Sequence, residues 1–143
     1  MAGSDEGIAV RKLEGPGFDT PAGAPFSKAL VVGDEIVISG VTARGSDGVT
    51  RGGDDMGAQA TAILEEIVRT VEAAGGHVGN IYKIIIYVTD MSRRAAVNEA
   101  RARVLVAPYP ASTMVEVKGL VAPDLLVEID AFANLRVDLR ALA

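Results

Sequence analysis

The chain has 143 residues, of which 49% are hydrophobic but only 4% aromatic, and it contains neither Cys nor Trp. This length suits one domain with an aliphatic core, and the missing Cys excludes disulfides, thiolate zinc sites and Cys nucleophiles. The formal net charge of −5, with no stripe of Lys or Arg, argues against nucleic acid as a partner.

The amino-terminal sequence MAGSDEG is polar and acidic, and it lacks the apolar segment of a secretory signal. The longest apolar runs, such as IVISGV, are too short to cross a bilayer. We therefore expect a cytoplasmic protein without a membrane partner.

The first third of the chain predicts strands and loops. Residues 7–14 alternate weakly, as in a short strand, and the Gly- and Pro-rich residues 15–26 predict an irregular connection. Residues 27–43 predict two strands joined by a tight turn at Gly33 and Asp34. Residues 44–54 have little apolar content and predict a flexible loop. They lack the G-K-[S/T] ending of a phosphate-binding loop.

The clearest helix follows Asp54 or Asp55, either of which can cap it, and ends at Gly75-Gly76. Residues 81–90 are apolar at successive positions, which predicts a strand in the interior of a sheet. A second helix is predicted over 92–106 with Ser92 as its cap, followed by strands over 111–117 and 125–137. The apolar face of the first helix consists of Ala60, Ile63, Leu64, Ile67, Val68 and Val71.

This order, ββαβαββ, predicts an α+β sandwich in which two helices cover one face of a mixed sheet. The other face then exposes β-branched side chains, and we expect a homo-oligomer to bury them. The exposed set is predicted to be Ile84, Ile86, Val115, Val117, Val127 and Ile129, or the residues that alternate with them.

Ionisable side chains offer few routes to catalysis. His77 is the only histidine, so a His-based metal site or a Ser-His-Asp triad lacks its parts, and His77 is predicted to be a loop or capping residue. Glu128 and Asp130 are two apart and share one strand face, with Glu116 on a neighbouring strand. Burial would raise the pKa of such a carboxyl and suit it to acid–base catalysis; otherwise these groups face water or a subunit contact.

Four stretches over residues 22–137 resemble the RidA/YjgF family of enamine/imine deaminases: SGVTA, EAAGGHVGNIYKIIIYVTDMSRRAAVNEA, PYPASTMVEV and LLVEIDAFA. The resemblance implies a single RidA-like domain over 1–143, with residues 1–21 forming an N-terminal strand and connection. It implies a chorismate-mutase-like fold and a homotrimer with small-molecule clefts between subunits. No cofactor or metal is expected.

The resemblance also implies a set of cleft residues. Glu128 matches the glutamate thought to orient or activate water, and the matching substrate-binding positions are Phe26 (tyrosine in the family), Ser39, Asn98 and Met114 (often Cys).

Ser112 occupies the position of the arginine that holds the substrate carboxylate in the deaminases. Serine provides one neutral donor instead of a charged fork, so carboxylate substrates are expected to bind poorly. Arg44 or Arg51 on the loop, or a neighbouring subunit, are candidates for a replacement cation.

Three functions remain open. The first is a deaminase or related hydrolase acting on a small imine or enamine, with water positioned by Glu128 and hydrogen bonds from Ser39 and Ser112. The second is a binding protein that uses the same clefts for a metabolite without turnover. The third, translation inhibition or endoribonuclease activity, is disfavoured by the acidic charge.

Overall fold

The computed structural model describes residues 6–14, 17–18 and 20–142. The rest of the expected N-terminal segment, namely 1–5, 15–16 and 19, lies outside the described residues, as does 143. The strands are β1 Val10–Lys12, β2 Ala29–Val32, β3 Glu35–Thr42, β4 Ile81–Val88, β5 Ala111–Glu116 and β6 Val127–Asn134, and the helices are α1 Met56–Ala73 and α2 Arg94–Val104.

The six strands form one mixed sheet in the order β1-β2-β3-β6-β4-β5. Only β4 and β5 run parallel, and α2 lies in the crossover between them. Helix α1 packs on β3, β6 and α2, so both helices lie on the same side of the sheet. The predicted α+β fold is confirmed, and its core order ββαβαββ is extended at the edge by the three-residue β1.

Local capping chemistry fixes helix α1 where the sequence predicts it. The Asp55 carboxylate accepts a hydrogen bond from the backbone N–H of Ala58 at 3.0 Å. At the other end Gly75 adopts a φ of +97°, and the N–H groups of Gly75 and Gly76 bond back to the carbonyls of Glu72 and Val71. This Schellman ending satisfies carbonyls that the helix itself cannot pair.

Helix α2 begins differently from the prediction. Asp90, rather than Ser92, is the capping residue: its carboxylate accepts from the Ser92 backbone N–H at 3.0 Å and from the Ser92 hydroxyl at 2.6 Å. These bonds close a 3-10 turn over Met91–Arg93, and the α-helix starts only at Arg94. Asp90 can cap the turn because a single carboxylate oxygen, Oδ1, has lone pairs for both bonds.

Two strands are shorter than predicted. The N–H of Leu125 bonds to the carbonyl of Ala122 in a turn, so β6 begins at Val127 and not at 125. Only three residues of the predicted strand 7–14 pair with β2. The predicted loop 44–54 is closed by an isolated bridge between Arg44 and Thr50.

The core lies between the helices and one sheet face. Ile84, Ile86, Val127 and Ile129 are fully buried there, so the first set of residues named for the open face was wrong for these four. Their alternates form the uncovered face, where Val37 and Val115 are exposed and Ile85 and Phe132 are half-buried. Side chains alternate strictly along a strand, so the position of the helices decides which set is buried.

Candidate functional site

A β-bulge shapes the uncovered face where β3 meets β6. The pairing passes from Ile38 opposite Ala131 to Val41 opposite Ile129, which leaves Ser39 and Gly40 facing the single residue Asp130. Bulges of this kind bend a strand and redirect its side chains, and they recur beside active sites.

The Glu128 carboxyl lies directly over this bulge. A Cβ on Gly40 would lie 2.8 Å from the Glu128 Cδ and 3.1 Å from its Cγ, so the glycine provides the space that the glutamate occupies. Thr42 on β3 and Tyr87 on β4 pair with Glu128 across the sheet. The side chain is half-buried on the face that the helices leave open.

Electrostatics distinguish Glu128 from its neighbour Asp130. Burial, and secondly the charge of Asp130, raise the pKa of Glu128. Asp130 accepts a hydrogen bond from the Tyr87 hydroxyl at 2.8 Å, a bond that raises the pKa of Tyr87. Within the described part of the chain, no side chain donates a hydrogen bond to Glu128. Glu128 is therefore the carboxyl of this pair that is free to handle a proton.

Two other predicted cleft residues lie on the segment before and along β3. The Ser39 hydroxyl donates to the Ser27 carbonyl at 2.6 Å, which leaves its oxygen lone pairs exposed. Phe26 precedes β2, and 56% of its surface is exposed. The structure thus groups Ser39 with Glu128 through the bulge.

The loop arginines have local partners. Arg44 lies 3.8 Å from the Asp124 carboxylate, and the Thr50 hydroxyl donates to the same carboxylate at 2.6 Å. Arg51 packs against Gly45 within the loop, and its charge acts on Glu66 of α1. Both cations therefore help to close the loop.

Ser112 lies on the opposite face of the sheet from Glu128. It pairs with the buried Ile84, whereas Glu128 pairs with Tyr87 of the uncovered face. A residue that the sequence analysis missed meets it there: Arg101 of α2 donates to the Ser112 hydroxyl oxygen at 2.6 Å. The same guanidinium donates to the side-chain oxygen of Asn98. The signal was present, since Asn98 and Arg101 are three apart and share a helix face.

These residues line a cavity of about 280 Å³ between α2 and the edge strand β5. Arg101, Asn98 and Ser112 provide its polar groups. The apolar walls are formed by Ile84, Ala102, Leu105, Tyr109 and Pro110. Tyr109 has a φ of +61°, a left-handed conformation that costs a non-glycine residue on the order of 1 kcal/mol and is often found at functional sites.

The remaining candidates make local contacts in the fold. Met114 lies on β5, is half-buried and packs against the core. Glu116 accepts from the Met91 backbone N–H at 2.8 Å and fixes the start of the turn before α2. His77 caps a 3-10 turn by accepting from the Gly79 N–H at 3.1 Å, in line with its predicted structural role.

The predicted site residues thus separate into two groups in one chain. Ser39 and Glu128 lie on the uncovered face, and Asn98 and Ser112 line the cavity on the helix-covered face. In the described ranges no cluster of three or more acidic or histidine side chains could hold a metal ion. No helix there is long and apolar enough to cross a membrane.

Comparison with known proteins shows which proteins this chain resembles. Residues 18–135 match the family described as Endoribonuclease L-PSP. A protein of unknown function from Pseudomonas aeruginosa is 42% identical, with a TM-score of 0.86 over 95% of this chain and 99% of that one. A member of the highly conserved YjgF/YER057c/UK114 family from Mycobacterium tuberculosis is 36% identical, with a TM-score of 0.68 over 78% and 87%. RidA from an Antarctic Psychrobacter species is 32% identical, with a TM-score of 0.73 over 82% and 98%.

Proposed function

Because the chain belongs to the RidA/YjgF family, described as Endoribonuclease L-PSP, we propose that it is a deaminase or related hydrolase acting on small imines or enamines. The observation that carries this proposal is Glu128, a half-buried carboxyl with a raised pKa and no side-chain donor among the described residues. A carboxyl in this state can take a proton from water and return it within one reaction.

The reaction follows from that proton transfer. Glu128 accepts a proton from water as the water oxygen attacks the carbon of a protonated C=N bond. Glu128 then returns that proton to the nitrogen of the resulting carbinolamine. The C–N bond breaks with its electron pair on nitrogen, the carbon becomes a carbonyl, and the hydroxyl proton passes to the departing ammonia, which leaves as ammonium. The negative charge of Glu128 also stabilises the iminium cation, because the two charges attract each other more strongly where water is partly excluded.

The two groups of predicted residues lie on opposite faces, so one chain alone does not bring Glu128 to the Arg101 cavity. We propose that a homotrimer completes each site, with Glu128 and Ser39 from one subunit facing the cavity rim of its neighbour. The location of the cavity beside edge strand β5 supports this arrangement, since an edge strand is where another chain can approach.

The test measures ammonia released from imines that an amino-acid oxidase generates in situ. Wild type is expected to exceed the spontaneous rate, and Glu128→Gln to lose on the order of 100-fold or more of that excess, since it keeps the shape but not the base. Glu65→Gln, on the exposed face of α1, is the matched control and is expected to keep full activity. Wild type at the spontaneous rate on every substrate would rule out the deaminase.

One observation favours a second candidate, a binding protein without turnover. The polar groups of the cavity, Arg101, Asn98 and Ser112, lie away from the ionisable Glu128 within the chain. Saturable binding of a small acid that is unaffected by Glu128→Gln, together with the absence of ammonia release, would identify this function. RNA cleavage is not proposed, because the net charge of −5 opposes binding to phosphates.

A further inference from the structure

The guanidinium of Arg101 has only neutral partners. It donates to the Ser112 hydroxyl oxygen at 2.6 Å and to the side-chain oxygen of Asn98. Within residues 6–14, 17–18 and 20–142, no carboxylate comes within 4.0 Å of it. The other arginine of the same helix end, Arg103, donates to Thr61 and lies outside the cavity lining. Within the described part of one chain, the positive charge at the cavity therefore has no carboxylate partner.

The hydrogen bonds of Arg101 also fix what its two partners present to the cavity. A hydroxyl whose oxygen accepts from Arg101 still has its own O–H to donate. An asparagine whose Oδ1 accepts from Arg101 turns its NH₂ group, which has two donors, away from the guanidinium. Arginine, serine and asparagine thus present donors and no strong acceptor, which is the arrangement that binds an anion.

The walls define the rest of the ligand. Ile84, Leu105, Tyr109 and Pro110 enclose a volume of about 280 Å³ that suits a small apolar group. Such walls place no second cation near the guanidinium, since the lining contains no other basic residue. The matching ligand has one carboxylate and an aliphatic or aromatic side chain.

We propose that Arg101 is the specificity-determining residue of this site, and that it binds the carboxylate of a small apolar 2-imino acid. The guanidinium reaches the position of Ser112 from α2 instead of from β5, so Ser112 acts as its hydrogen-bonding support and as an additional donor. Ser112 alone was expected to weaken carboxylate binding. With Arg101 beside it, we expect the site to prefer carboxylates. This inference rests on the proposed function for its reaction, but its binding step is tested separately.

The test uses an unreactive oxygen analogue of such an imine, 4-methyl-2-oxopentanoate, and its neutral amide as paired probes for calorimetric titration of the full chain. Wild type is expected to bind the acid at least 10-fold more tightly than the amide. Arg101→Met is expected to weaken acid binding by about 10- to 100-fold, as for the loss of a charge-assisted hydrogen bond, and to leave amide binding unchanged. Arg103→Met is the matched control and is expected to keep the preference.

Two further variants separate loss of charge from loss of structure. Arg101→Lys, which keeps the charge but loses the planar fork, is expected to fall between wild type and Arg101→Met. Arg101→Met combined with Ser112→Arg moves the guanidinium to β5 and is expected to restore acid binding. Equal binding of acid and amide by wild type, or an unchanged preference in Arg101→Met, would overturn the inference.

The binding and the reaction can fail independently. Glu128→Gln is expected to keep or increase the acid preference while losing ammonia release, because it removes a base and a negative charge from the rim of the neighbouring cavity but leaves the Arg101 guanidinium in place. Ammonia release by wild type without any acid preference would refute the role of Arg101 and leave the deaminase proposal standing. Acid preference without ammonia release from any imine would support the role of Arg101 and refute the deaminase proposal.

Discussion

Two features of the fold disfavour the charged form of Glu128. Burial and the neighbouring Asp130 raise its pKa, so the folded chain binds a proton there more tightly than the unfolded chain does. The stability that this carboxyl contributes is therefore fully present below its unfolded pKa and is lost as the pH rises through its folded pKa. Above the folded pKa the charged form of Glu128 therefore costs the protein stability.

Replacing Glu128 with an uncharged residue should recover the stability that its charge costs. Glu128→Gln is expected to raise the Tm near pH 7 by about 1 to 4 °C, a small gain because the group is partly solvated, and the gain should vanish toward about pH 4. Circular dichroism melts between pH 4 and 8 measure it, with Glu65→Gln as a control that gains nothing. A gain at pH 4 equal to that at pH 7 would show that charge is not the cause.

Single residues differ in how far the sequence reveals them. Glu128 and Asp130 stood out because carboxylates alternate with apolar residues in VEIDAF, and the family resemblance selected Glu128; Asp55 stood out because capping follows local rules. The spacing of Asn98 and Arg101 pointed to a shared helix face, but the contact of Arg101 with Ser112 could not be predicted, since it depends on how α2 packs against β5. Asp90 displaced the predicted cap Ser92 through a bond geometry that residue type alone does not decide.

Among the elements, the bulge in β3 connects fold and chemistry. Ser39 and Gly40 face one residue of β6, and the missing side chain of Gly40 leaves room for the Glu128 carboxyl. The sequence predicted β3 but not its bulge, because a bulge is a property of two paired strands. Helix α1, whose apolar face and ends are local features, was predicted almost to the residue.

Gly40→Ala tests the bulge as a device for positioning Glu128. The added Cβ would meet the end of the flexible Glu128 side chain, so the carboxyl must move aside, at a cost of less than about 1 kcal/mol in the free energy of unfolding. Ammonia release should fall on the order of 10-fold or more, since small displacements of a catalytic group are costly. Gly119→Ala, where nothing lies within 4 Å of the added Cβ, should change neither stability nor rate. Full activity in Gly40→Ala would refute the positioning role.

For the whole molecule, the sheet leaves one broad face without a covering layer. Val37 and Val115 are 37% and 39% exposed there, beside Ile85 and Phe132. The tyrosine–carboxylate pairs Tyr82–Glu35 and Tyr87–Asp130 interrupt this apolar surface. Binary patterning predicted that such a face exists, but the choice between alternating sets required the position of the helices.

This face is expected to hold the proposed trimer together. Light scattering at micromolar concentration should give three times the 14.8 kDa chain mass, because burying such β-branched surface favours association. Val115→Lys on edge strand β5 should shift the mass toward the monomer, since a buried lysine charge without a partner is costly. Val121→Lys, at a site that is 88% exposed outside the sheet, is the matched control.

The same variant relates assembly to chemistry. If Glu128 of one subunit faces the Arg101 cavity of the next, ammonia release should fall in proportion to the trimer that Val115→Lys loses, and raising the protein concentration should restore both by mass action. Binding of 4-methyl-2-oxopentanoate to the cavity should weaken less than the rate, because Arg101, Asn98 and Ser112 all belong to one chain. A monomer that retains the full rate would place the whole reaction within a single subunit and refute the shared site.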